Sequence, residues 1–189
     1  MTPLLTVYNG VTYRSRLEAR WAVVFESFGW SYVYEPEGFE HMGDKYLPDF
    51  WVDELNAYLA VKPVCMNKGL RSGLAKDLAR QSEMIACGLL HYTIEGAPLI
   101  GRHRIYVGKE GIPAKIADCR GCDGISYVGE DEWGSLTVEC CDTDRRPETE
   151  SSPRTQSAFE SAMRERFGEL TTRGLIEMSG NNTTQWRLK

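Results

Sequence analysis

Between residues 46 and 62 the chain carries two apolar runs, Tyr46–Val52 and Ala57–Lys62, with only Asp53-Glu54-Leu55-Asn56 between them. Two β-prone segments joined so closely fold back as an antiparallel hairpin. Pro48 lacks an amide donor, which restricts it to a strand beginning or a sheet edge. Pro63 ends the second run. Upstream, Leu17, Trp21, Val24, Phe25 and Phe28 recur at i, i+4, i+7, i+8 and i+11, one stripe of a helix. Ser15 stands where an N-cap belongs and Gly29 where a C-cap belongs. Residues 31–34 read as a strand, broken by Glu35-Pro36-Glu37-Gly38. Residues 70–87 read as a second helix, followed by strands near 89–94 and 103–107. Helix, strands, helix, strands predicts an α/β (α+β) core with a central mixed sheet flanked by helices.

The 189 residues suffice for one domain with a small appendage. The predicted division is a core over 1–117 that ends in a connector from 109, a cysteine-rich hairpin over 118–142, a polar linker over 143–154, and a helix and tail over 155–189. The helix is expected from about Gln156 to Gly168. Two short strands are expected around Gly180-Asn181-Asn182. With 42% apolar and 26% charged residues, collagen-like, coiled-coil and wholly disordered chains are excluded. A formal charge of -5 argues against a histone-like electrostatic binder, while a local basic groove stays open. No run approaches the ~20 apolar residues of a membrane span, so no membrane partner is expected. The start of the chain lacks the basic and apolar stretches of a secretory signal, and the expectation is a cytoplasmic protein.

On the hairpin, Ala60 and Lys62 stand two apart in one strand and project to the same face. Asp49 lies on the other arm. Whether it joins them depends on register, which the sequence leaves open. Four segments then occur in order. They are Tyr13-Arg14-Ser15-Arg16-Leu17-Glu18-Ala19-Arg20-Trp21-Ala22, Tyr34-Glu35-Pro36-Glu37-Gly38-Phe39, Tyr46-Leu47-Pro48-Asp49-Phe50-Trp51 and Ala60-Val61-Lys62-Pro63. Together they resemble the PD-(D/E)XK nuclease superfamily, with its restriction-endonuclease-like core. The likeness covers about residues 11–108. It looks closest to small phage and prophage nucleases, and transposon-end-cleaving subunits share the segments more loosely. The resemblance implies a metal-dependent endonuclease that hydrolyses nucleic acid, DNA in the first instance. It implies Mg2+ or Mn2+ held by Asp49, by Glu18 directly or through water, and by the Val61 carbonyl. Lys62 would orient the attacking water or stabilise the phosphate.

One position departs from the pattern. The motif's second acid belongs at position 60, where this chain has Ala60. Losing a carboxylate from so small a set weakens the metal, and the chain as given is expected to be inactive or impaired. Ala60 is read either as an engineered replacement of a glutamate or as the mark of a natural pseudonuclease. The survival of Glu18, Asp49 and Lys62 together favours the first. An acid migrated to Asp53 or Glu54 in the hairpin turn is a third reading. The rival to the enzyme is a non-enzymatic nucleic-acid- or protein-binding module with a degenerate nuclease fold.

Simpler roles stand beside the functional ones. Ser15-Arg16-Leu17-Glu18 is also a capping-box pattern. Asp49 among Leu47, Phe50 and Trp51 needs a partner in any role, because a lone acid in apolar surroundings is costly. Lys62 alone reads as an edge lysine. Arg14, Arg16 and Arg20 beside Glu18, with Lys68, Arg71, Lys76 and Arg80 on and before the second helix, read as nucleic-acid-binding residues or as solvated helix faces. Cys119-Arg120-Gly121-Cys122 is followed after seventeen residues by Cys140-Cys141, a spacing close to a zinc ribbon's except that the second pair is adjacent. Structural Zn2+ on Cys119, Cys122, Cys140 and Cys141 is the expectation, with Asp118, Asp142 or His103 as substitute donors. The plainer reading is four thiols in a hairpin. One active site nicks one strand, so a double-strand cutter of this type needs a homodimer or a protein partner.

Overall fold

The computed structural model describes residues 4–41, 44–64, 68–99, 103–109, 111–118, 125–130, 136–138, 152–169 and 186–188. The fold is mixed α/β. The chain opens with β1 (Thr6–Tyr8) and β2 (Val11–Tyr13), which turn back through Asn9 and Gly10. Both turn residues have positive φ, 47° and 77°, the backbone twist that a two-residue hairpin needs. Helix α1 (Arg16–Phe28) follows with both ends closed by local chemistry. The Glu18 N–H donates to Ser15 Oγ at 3.2 Å. Gly29, at φ 75°, ends the helix in the left-handed region, and the N–H groups of Gly29 and Trp30 return to the carbonyls of Glu26 and Phe25.

Five short strands come next: β3 (Tyr32–Tyr34), β4 (Gly38–His41), β5 (Asp44–Tyr46), β6 (Phe50–Val52) and, after a 3-10 turn at Asp53–Leu55, β7 (Ala57–Lys62). Then come α2 (Lys68–Ala86), β8 (His91–Glu95), β9 (Arg104–Val107), β10 (Ile112–Asp118), β11 (Ile125–Glu130), β12 (Leu136–Val138), α3 (Pro153–Arg164), β13 (Gly168–Glu169) and β14 (Trp186–Leu188). The main sheet has eight strands among the described residues, in the order β12-β11-β10-β9-β8-β7-β6-β3. Every neighbouring pair is antiparallel except β7 and β8. That parallel pair requires a crossover, and α2 supplies it. Two three-stranded sheets, β13-β1-β2 and β14-β4-β5, flank the main one.

The side chains of β7 and β8 alternate between two environments, as strand geometry requires. Leu59, Val61, Tyr92 and Ile94 join a large apolar cluster with Trp21, Val24 and Phe25 of α1 and Ala158, Phe159 and Ala162 of α3. Tyr58 packs in a smaller cluster with Phe39 and Met84, under α2. Residues 57–61 are all buried, the mark of a central strand covered on both faces.

Three expectations about local structure need correction. The run Tyr46–Val52 is not one strand. Leu47-Pro48-Asp49 separates β5, which pairs with β4, from β6, which pairs with β3 and β7. Pro48 lacks the donor that a continuous ladder needs. Residues 112–118, expected within a connector, form β10, and Ala114 and Ile116 point into the core. The C-terminal helix begins earlier than expected, at Pro153 inside the predicted linker, and ends earlier too, at Arg164, with Gly168 in β13. Ser152 caps it by accepting from the Thr155 N–H at 3.1 Å, and proline at the first turn is compatible with a helix start. The four cysteines of the expected zinc site lie outside the described residues. The arms between them do form a hairpin, with Val128 opposite Val138. Among the described residues, no helix is long and apolar enough to cross a membrane.

Candidate active site

The register between β6 and β7 answers the question left open by the sequence. Phe50 pairs with Leu59, the last rung of this ladder, and Asp49 follows beside Ala60, bonded to the residues on either side of it. The Asp49 N–H still reaches the Leu59 carbonyl at 2.9 Å. Beyond that point the ladder opens. Oδ2 of Asp49 accepts the Val61 N–H at 2.6 Å, so a carboxylate takes the place of a strand carbonyl. Asp49, Ala60 and Val61 are all at least 95% buried. Lys62, next along β7, holds its Nζ 3.8 Å from Asp77 Oδ1 on α2.

Glu18 approaches from the first turn of α1. Its Oε1 accepts from the Ser15 hydroxyl at 2.8 Å and its Oε2 from the Tyr34 hydroxyl at 2.6 Å. Half of the capping box is thus present, the Ser15 Oγ contact with the Glu18 N–H. The carboxylate itself turns toward Tyr34. Arg14 ties the elements together. Its guanidinium forms an ion pair with Asp49, lies 2.8 Å from Glu35 Oε1 through Nε, and is 4.0 Å from Glu18 Oε2. Its backbone N–H donates to the Tyr34 hydroxyl at 2.9 Å. Glu35 has φ 48°, unusual for a residue with a side chain, and its N–H donates to the Asp49 carbonyl at 2.9 Å.

Electrostatics follow from burial and neighbours. Burial pushes the Asp49 carboxyl up to about 6, and Glu18 adds to the rise, against the pull of Lys62, the Val61 N–H and Arg14. Glu35 is raised for the same first reason, with Arg14 opposing. Burial and the adjacent Glu18 raise Tyr34, which keeps it a donor. Arg14 is raised by its acidic neighbours, Asp49 first, in spite of burial. Behind the site, His91 is fully buried, and its ring nitrogen lies 2.5 Å from the Tyr46 hydroxyl. Burial drives its value down to about 3, with Lys62 contributing.

The structure therefore brings Glu18, Asp49, Ala60, Val61 and Lys62 to the fork where β6 and β7 part. Arg14 belongs to the same cluster, as a partner of the acids. Arg20 is half-buried, with an Nε that lacks a hydrogen-bond partner, and Arg16 is exposed. On α2, Arg80 lies 5.5 Å above the Tyr46 ring and 3.6 Å from Asp77, and Lys76 is exposed. Lys68 and Arg71 stand in the first turns of α2, and their side chains lie outside the described set. Asp53 and Glu54 stay at the hairpin turn. They accept from Trp51 Nε1 at 2.7 Å and from the Ser31 N–H at 2.9 Å. Sequence reasoning missed the roles of Tyr34, Glu35 and Asp77. The strand-breaking Tyr34-Glu35-Pro36 was the available signal for the first two.

Among the described residues, no three or more histidine, cysteine or acidic side chains are grouped to hold a metal ion. Two carboxylates and a backbone carbonyl are nonetheless hard oxygen donors of the kind Mg2+ takes, with water completing the shell. By donor chemistry, Glu18, Asp49 and Val61 fit such an ion. No protein-family model matches the chain, no curated protein is significantly similar to it, and no solved structure matches it.

Proposed function

We propose that the chain is a metal-dependent nuclease of the PD-(D/E)XK type, with a restriction-endonuclease-like core, acting on DNA and impaired by Ala60. One observation carries the reading. Asp49 bonds Leu59 and Val61 on either side of Ala60, with Lys62 next along the strand, while Glu18 reaches the same cluster from α1. A divalent ion, when bound, supplies an activated water and neutralises charge on the phosphate. Asp49 and Glu18 would hold it, with the Val61 carbonyl. The ammonium of Lys62 stands ready to orient the water or to meet charge on the phosphate. Tyr34 and Ser15 fix the Glu18 carboxylate. The cysteines at 119, 122, 140 and 141 remain the proposed structural zinc set.

The test restores the missing acid. Ala60→Glu is expected to nick supercoiled plasmid with Mg2+ or Mn2+ and not with EDTA, while the given chain does not. Adding Asp49→Asn is expected to abolish that cleavage. If Ala60→Glu leaves plasmid, single-stranded DNA and structured RNA intact with both metals, the nuclease reading fails. A second reading, a binding module on this fold, is favoured by one fact: Arg14 already provides a cation to both site acids. Retention of labelled DNA without cleavage by either form supports it.

A further inference from the structure

The nuclease reading needs Asp49 and Glu18 to receive a divalent cation, yet a protein cation already stands between them. Arg14 pairs with Asp49, lies 4.0 Å from Glu18 Oε2, and rests on Glu35 at 2.8 Å. A guanidinium and a hard metal ion compete for one set of carboxylate oxygens. Both need the lone pairs, and like charges at about 4 Å repel. We infer that Arg14 is the site's internal counter-ion, mutually exclusive with the metal, and that Glu35 holds the displaced guanidinium at the rim of the site.

The geometry gives each part of this inference its place. The Arg14 side chain is 45% exposed, so one side of it is open for withdrawal, whereas Asp49 is 4% exposed and has no such freedom. The backbone N–H of Arg14 stays on the Tyr34 hydroxyl, so only the side chain has to turn. Glu35 touches Nε and not the group that pairs with Asp49, so this contact survives when the guanidinium swings away from Asp49. The Glu35 amide is anchored on the Asp49 carbonyl, which keeps that rest position beside the site. A turned guanidinium presents its free N–H groups outward, in the geometry that suits a phosphate oxygen pair. The proposal rests on the nuclease reading and names a regulation of that same site.

The test uses Mn2+ alone as the probe, followed by calorimetry and by the loss of the free Mn2+ resonance signal, with no nucleic acid present. Arg14→Gln is expected to bind Mn2+ at least about tenfold more tightly than the given chain. Arg16→Gln removes the same charge two residues away and is expected to change affinity by less than about threefold. In the Arg14→Gln background, a further Glu35→Gln is expected to leave affinity within about threefold, because Glu35 acts only through Arg14. Thermal unfolding of each variant confirms that it is folded. Three results overturn the inference: unchanged or weaker binding by Arg14→Gln, an equal gain in Arg16→Gln, or a tenfold loss on adding Glu35→Gln, which would make Glu35 itself a ligand. If no form binds Mn2+ at millimolar concentration, the inference on Arg14 fails, while the nuclease reading is decided separately by Ala60→Glu. If all bind equally, only the inference on Arg14 fails.

Discussion

The two faces of the central strands are built on different principles. One face, bearing Leu59, Val61, Tyr92 and Ile94, meets α1 and α3 chiefly through apolar contact, with rings such as Trp21, Phe25 and Phe50 interleaved. The other face, bearing Ala60, His91, Thr93 and Glu95, is buried but polar. The Thr93 hydroxyl donates to Gln81 Oε1 at 2.8 Å. The Gln81 amide in turn donates to the carbonyls of Tyr106 and Gly108 at 3.1 and 2.8 Å. The Tyr106 hydroxyl donates to Glu95 at 3.1 Å. On the first face stability depends on area and shape, which many apolar sets satisfy. On the second, each group depends on a named partner, because an unsatisfied buried polar atom is costly. The acid site lies at the fork beside Ala60, where the polar face opens.

The strongest way to break this contrast is Phe50→Ala. Phe50 is fully buried beside Asp49, among the rings of Phe25, Tyr32 and Tyr34. Its truncation is expected to cost about 3–5 kcal/mol in denaturant unfolding. A loss below about 1 kcal/mol would mean that the apolar face does not carry the fold. Next comes Gln81→Leu, which keeps the volume and removes three hydrogen bonds. A purely area-driven face would tolerate it. Here a cost of about 2–3 kcal/mol is expected, from the partners that the Thr93 hydroxyl and the Tyr106 carbonyl lose, while the Gly108 carbonyl keeps the Gly111 N–H.

The most gradual effect, and the most telling, is in pH. Asp49 rises on folding from 3.8 to about 6, so between those values the native state holds the extra proton and stability increases as pH falls. His91 falls from 6.5 to about 3, so there the unfolded state holds the extra proton and stability decreases as pH falls. The two oppose each other between about 4 and about 6, and the given chain is expected to have a shallow profile there. Relative to it, Asp49→Asn should lose stability with acid, and His91→Gln should gain it. Each should deviate by up to about 1.4 kcal/mol per pH unit. Parallel profiles for all three proteins would show that neither group changes its proton affinity on folding.

Much of this was legible beforehand, for reasons of range. The ends of α1 were readable from Ser15 and Gly29 because caps act over three or four residues. The limits of β7 were readable because an unbroken apolar run ends at a proline. That Ala60 and Lys62 share a face was readable because strand alternation is local. The four cysteines of the proposed zinc set were legible as a spacing, and they fall outside the described residues.

What local patterns leave open is how distant segments meet. Nothing near Asp49 says that it lies beside Ala60, because a slip of one residue would reverse the faces and only the packed core selects the register. Nothing near Arg14 says that it turns toward Asp49, thirty-five residues away, and not toward a phosphate track, because a long cation goes wherever folding gathers buried acids. The break at Pro48, which sends β5 to one sheet and β6 to another, was legible in the sequence as a proline near the start of one strand and became a fork only in three dimensions. The sequence by itself determined the elements and the chemical inventory, since caps, breakers and periodicity act along the chain. Tertiary structure alone decided the register, the fork and the partners of the acids, since these depend on which surfaces the whole chain can bury together.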